Sequence, residues 1–134
     1  MSNNESSKYF DLHTTGIGYL NRIREVTPKE GTPFLSVTIA ALRGSVDKAQ
    51  YTHFECSVSG RQAQDVVRQV QPAIEGKLKV LIGFTLSDLF AESFTFKSGD
   101  NAGEIGISLN ARLLRVSWAK VDGQPLYKAQ EHAA

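Results

Sequence analysis

The side chains in this chain that could do chemistry are one thiol, three imidazoles, and a set of rings and cations spread along apolar stretches. Cys56 is the only cysteine, and His53 precedes it by three residues. In an extended segment side chains alternate between faces, so an odd offset puts thiol and imidazole on opposite sides. They cannot form a local nucleophile–base pair, and His13 and His132 lie near the ends. Cys56 reads as a small core thiol. Carboxylates are scattered with no close acid/base pair, and no Cys/His cluster has metal-ligand spacing. Gly16-Ile17-Gly18 starts like a dinucleotide fingerprint, but Asn21 stands where its third glycine belongs. The expectation is a protein that is not an enzyme and holds no metal or cofactor.

Rings and cations suit a different task. Single-stranded nucleic acid is held by cations along its phosphates and by flat rings against its bases. Tyr51 and His53 share one parity of an extended segment and stand about 7 Å apart, at roughly 3.3 Å per residue. Phe34 begins a neighbouring apolar segment and Arg43 ends it. Arg22 and Arg24 lie near the end of an earlier one, Lys79 opens a later one, and Arg112 lies on the polar parity of the last, beside Ser108 and Asn110. These residues are the candidate nucleic-acid contacts, if the fold brings them to one face. The competing reading of Tyr51 and His53 is a cross-strand pair or an oligomer contact.

The elements that must position them follow from hydrophobic period. Period-two alternation predicts strands over 16–26, 34–42, 51–59, 77–86 and 105–121. Leu35, Val37, Ile39 and Ala41 form one face of the second; Thr52, Phe54, Cys56 and Val58 form one face of the third. The phase of the last slips at Leu113-Leu114, where a β-bulge would keep both halves on the core and place Trp118 inward. Between the third and fourth, Ala63, Val66, Val67, Val70 and Ile74 mark one face of a helix over 61–75. Ser59 with Gln62 would cap its start, Pro72 would kink or end it, and Gly76 would stop it in a left-handed conformation. The order β-β-β-α-β-β, all-β with one capping helix, is that of the five-stranded Greek-key barrel called the OB-fold.

The chain has 134 residues, 41% hydrophobic, with a formal charge of +1, enough for one domain with a core. The expected organisation is a flexible segment 1–15, the barrel over 16–123, and a tail 124–134. Segment 87–104 is the excursion between the fourth and fifth strands. It carries Lys97 against Asp88, Glu92, Asp100 and Glu104, net −3. It also holds Phe90, Phe94 and Phe96. Phosphates would be repelled there, so these phenylalanines are expected to pack on a neighbouring subunit, with DNA stacking as the other reading. No apolar run approaches the ~20 residues of a membrane helix. The polar start and the lone cysteine point to the cytoplasm.

Gly18-Tyr19-Leu20-Asn21-Arg22, Phe34 to Ala40, and Thr52 to Gly60 resemble the first three strands of the bacterial single-stranded-DNA-binding protein family. More narrowly, the chain is similar to small replication-associated proteins of integrative conjugative elements. The resemblance implies single-stranded DNA as partner, a homodimer or homotetramer, and replication or conjugation proteins as further partners. It departs from the family at His53, where a stacking tryptophan is usual, and at Ser59, where a phenylalanine is. The alternative function is an OB-fold assembly module that binds protein and no nucleic acid.

Overall fold

The computed structural model describes residues 10–128. The elements are β1 (His13–Val26), β2 (Phe34–Arg43), β3 (Gln50–Val58), α1 (Arg61–Glu75), β4 (Val80–Thr95), β5 (Ile105–Val121) and β6 (Gln124–Lys128). They form one sheet in the order β3-β2-β1-β4-β5-β6. Neighbours in that order are antiparallel. A parallel pairing of β3 with β5, from Phe54 opposite Leu109 to Val58 opposite Leu113, closes the sheet into a ring. This is the OB-fold barrel, with β6 added on the edge of β5.

The core follows the alternation. Leu35, Val37, Ile39 and Ala41 of β2 and Phe54, Cys56 and Val58 of β3 are buried, as are Leu20, Ile82, Leu86 and Leu113. Burial, and then the Glu55 charge, push the Cys56 thiol up to about 12 from an ordinary 9.0, so it stays protonated and inert at neutral pH. The outer parity of β2 is also buried, because Ser36, Thr38 and Ala40 are small and longer neighbours rise on either side.

Helix α1 buries Ala63, Val66, Val67 and Val70 against β5, β1 and β4. Its start differs from the expected capping box. The N-cap is Gly60, with no side-chain cap. The Ser59 and Gly60 amides instead donate to the Leu113 carbonyl, and a Cβ on Gly60 would overlap the Leu114 carbonyl oxygen. Gln62 is drawn away to β5: its Nε2 donates to Val116 O (2.7 Å) and its Oε1 accepts from Val116 N (3.0 Å). Losing a side-chain cap costs about 1 kcal/mol. Burying three valines is worth roughly 1.5–3 kcal/mol each, so packing decides. The helix runs through Pro72 to Glu75. Its left-handed stop is Lys77 (φ 66°), not Gly76 (φ −80°).

Bulges shape the β4–β5 pair. Leu113 opposes Leu86 and Arg115 opposes Thr85, so Leu114 is the extra residue, at the predicted slip. A second extra residue, Ser117, lies between Val116 and Trp118. It reverses the phase again, so Ala119 is buried and Trp118 faces outward, lying over Gly83. The inward placement expected for Trp118 is therefore corrected. A third irregularity, at Asp88 (φ 57°), lets β4 run on to Thr95. The first half of the 87–104 excursion, to Thr95, is thus one strand of a two-stranded ribbon with the start of β5, continuous with the barrel. Within the other expected boundaries, His13 to Thr15 already belong to β1 and Gln124 to Lys128 form β6. The rest of the expected end segments, 1–9 and 129–134, lie outside the described residues. Among the described residues no helix is long and apolar enough to cross a membrane.

Gln62 satisfies two backbone groups of the bulged strand at once. Gln62→Ala strips both bonds, and a buried polar group left unpaired costs roughly 1–3 kcal/mol. The expected result is a lower urea midpoint with an unchanged slope, read by circular dichroism.

Candidate nucleic-acid interface

The outer side of β1–β2–β3 is a shallow trough. Its floor is Ser36, Thr38 and Ala40 of β2. Register sets the walls: Arg24 and Ser57 flank Ser36, Asn21 and Glu55 flank Thr38, Tyr19 and His53 flank Ala40. The small floor residues lie below longer neighbours, and Arg24 of β1 and Glu55 of β3 meet across Ser36 and Thr38. Tyr51 and His53 share the outer face of β3, as alternation requires, and both are exposed.

At the Ser57 end the trough opens into a cavity of about 620 Å³, lined by Arg24, Glu55, Asp88, Phe90, Asn110 and Arg112 among others. Arg24 Nη2 donates to Ser36 Oγ (2.9 Å) and lies 3.5 Å from Glu55 Oε1. That carboxylate oxygen also accepts from Thr38 Oγ1 (2.9 Å). Arg24 Nε is buried without an acceptor among the described residues. Arg112 Nη1 lies 3.5 Å from Asp88 Oδ2, whose left-handed backbone turns it there. Both arginines therefore carry a carboxylate neighbour, and the cavity is charge-balanced rather than simply cationic. Arg112 also borders an adjoining cavity of about 450 Å³ that holds Phe34 and Arg68.

The remaining candidates lie elsewhere. Arg43, at the far end of β2, donates to Thr52 Oγ1 (2.9 Å) and Gln50 Oε1 (2.7 Å), both neutral. Arg22 is exposed at the β1 bulge, with φ 51°. Lys79 and Tyr51 line a separate notch with Tyr19 and Lys77. So the structure gathers Arg24, Arg112 and Phe34 at one end of the trough, Tyr51 and Lys79 at the other, with His53 between them.

Sequence reasoning missed the counter-charges. Glu55 shares parity with Tyr51 and His53, so its place on this face was readable. Asp88 was not, because its orientation depends on a bulge. The ribbon is apolar on both sides. Phe94 and Phe96 pack edge to face, 4.9 Å apart, across Gly106. Phe90 and Phe94 are 55% and 43% exposed, and on the opposite parity Ile105 and Ile107 are 73% and 66% exposed.

No curated protein and no solved structure matches this chain. The profile of a family described as "Protein of unknown function (DUF3577)" matches residues 3–134, nearly the whole sequence, and the chain belongs to that family.

Proposed function

We propose that this protein binds single-stranded DNA along the outer face of β1–β2–β3, without catalysing a reaction. One observation carries the reading: small β2 residues lie between rings and guanidinium groups of β1 and β3, with the partly exposed Arg24–Glu55 pair bridging across them. Tyr51, His53 and Phe34 offer stacking surfaces. Arg22, Arg24, Arg43, Lys79 and Arg112 are the phosphate contacts. A cytoplasmic role in replication or transfer of an integrative conjugative element, alongside replication or conjugation proteins, rests on the strand resemblance alone.

The ribbon supports self-association. Its Phe90, Phe94 and Phe96 face, and the Ile105–Ile107 face behind it, are too apolar to be left in water. Its acidic character disfavours phosphates, so a second copy of the chain is the proposed occupant, giving a homodimer or homotetramer. Ile105→Lys with Ile107→Lys should convert the oligomer to monomer in light scattering; an unchanged mass would place the contact elsewhere. The competing function is a protein-assembly module, favoured by the same ribbon and distinguished by a lack of oligonucleotide binding at physiological salt.

The test is anisotropy of a labelled oligo-dT at several salt concentrations. Affinity should fall steeply as salt rises. Tyr51→Ala with His53→Ala should cost about 1–3 kcal/mol per stacked base. No loss would move the site off β3. Glu55→Gln and Asp88→Asn should each strengthen binding, by about 0.2–1 kcal/mol, the worth of the exposed ion pair that a phosphate must displace. Weaker binding in both would show that the carboxylates organise the arginines rather than compete for them.

A further inference from the structure

The notch at the Tyr51 end of the trough has a different chemistry from the Arg112 end. It measures about 280 Å³ and is lined by Tyr19, Asn21, Tyr51, Ile74, Lys77, Leu78, Lys79 and Val80, with no carboxylate among them. The Tyr19 and Tyr51 ring centroids are 6.4 Å apart at 52°, a tilted pair that leaves both rings partly open. Asp122 lies beside the notch and is bound to backbone: its Oδ1 accepts from Lys79 N (3.1 Å) and its own amide donates to Lys79 O (2.8 Å). That clamp fixes the backbone that carries Lys79.

Lys77 lies on the rim of the same notch. It holds a left-handed backbone, φ 66°, immediately after a glycine that does not. Helix termination sets it: Leu78 N donates to Ala73 O and Lys77 N to Ile74 O, the bonds of a left-handed helix end that glycine takes most easily. Here the chain places a cation at the position glycine would fill most easily, on the rim of a notch lined by two tyrosines.

We infer that this notch is a second nucleotide subsite, in which Tyr19 stacks on a base while Lys77 and Lys79 hold the adjoining phosphates. The inference rests on the single-strand reading above and extends it. Tyr51 and Ser57 are six residues apart on β3, about 20 Å at roughly 3.3 Å per residue. One strand lying along β3, over the partly exposed Arg24–Glu55 pair, would join the lysine notch to the Arg112 cavity. No carboxylate lines the notch, whereas both arginines of the cavity carry one, so the notch contributes more to affinity than the cavity does.

The experiment compares wild type, Lys77→Gly with Lys79→Ala, Tyr19→Leu and Arg112→Ala, using a labelled oligo-dT of about 15 nucleotides, near the upper end of single-barrel site sizes. Glycine takes the Lys77 backbone without strain, so Lys77→Gly should melt no lower than wild type, which keeps folding out of the result. The lysine double variant should bind about tenfold more weakly and lose about 1.4 from the salt slope, two phosphate contacts at about 0.7 each on a single strand. Tyr19→Leu should weaken binding with the slope unchanged. Wild-type affinity and slope in the lysine variant, while Arg112→Ala still loses affinity, would overturn the notch and leave the trough intact. No binding by wild type at low salt would overturn both.

Discussion

Closure of the barrel depends on one strand serving two masters. β5 pairs antiparallel with β4 along most of its length and parallel with β3 over Leu109 to Leu113. A regular strand cannot turn sharply enough to do both, and extra residues at Leu114 and Ser117 supply the bend. Each extra residue frees backbone groups that need partners. The Leu113 carbonyl accepts from the Ser59 and Gly60 amides, and Val116 exchanges two bonds with Gln62. The start of α1 is therefore spent on fastening β5, which is why it has no side-chain cap of its own. The irregularities across this strand pair also orient the surface: the turn at Asp88 aims a carboxylate at Arg112, and the phase change at Ser117 puts Trp118 outside beside Lys120, whose Nζ lies 5.5 Å from the ring centroid. Barrel closure and the layout of the candidate interface share one cause.

The charge arrangement divides the trough into two regimes. At the Arg112 end, each cation is already half neutralised by a neighbour 3.5 Å away. Exposed pairs of this kind hold little energy, about 0–1 kcal/mol, so a phosphate can displace the carboxylate at small cost. At the Tyr51 end the lysines face no lining carboxylate. Of the ribbon's acids, Asp88 pairs with Arg112 in the cavity and Glu92 accepts from Asn110 on its lining, so the ribbon's negative charge reaches the Arg112 end.

Much of this was legible in the sequence, for identifiable reasons. Alternation in 34–42 and 51–59 is set by burial of one sheet face, and burial is what the structure enforces, so Val37, Ile39, Phe54 and Cys56 fell where expected. The helix 61–75 was readable because its apolar offsets fit only a 3.6-residue period. The slip at Leu113-Leu114 was visible as two adjacent apolar residues. Ser117 was not, because a polar residue between Val116 and Trp118 looks like ordinary alternation. The length of β4 was hidden for a related reason: beyond Leu89, which packs on the core, Phe90 to Thr95 have neither face against it, so little in their pattern marks a strand. β6 is short, contains Pro125, and exists only because β5 offers an edge. The site residues were partly legible: parity found Tyr51, His53 and Arg112, but the partners of Arg24 and Arg112 depend on register, which one strand alone does not reveal.

The central claim is that a single strand of DNA lies along β3 in the trough floored by β2. Amide chemical-shift mapping of the ¹⁵N-labelled chain against oligo-dT tests it most directly. The account predicts the largest shifts at Ser36, Thr38, Ala40, His53 and Ser57, with the ribbon tip around Gly99 to Gly103 unmoved. Shifts confined to the ribbon, or absent from β2 and β3 at saturating oligonucleotide, would contradict it.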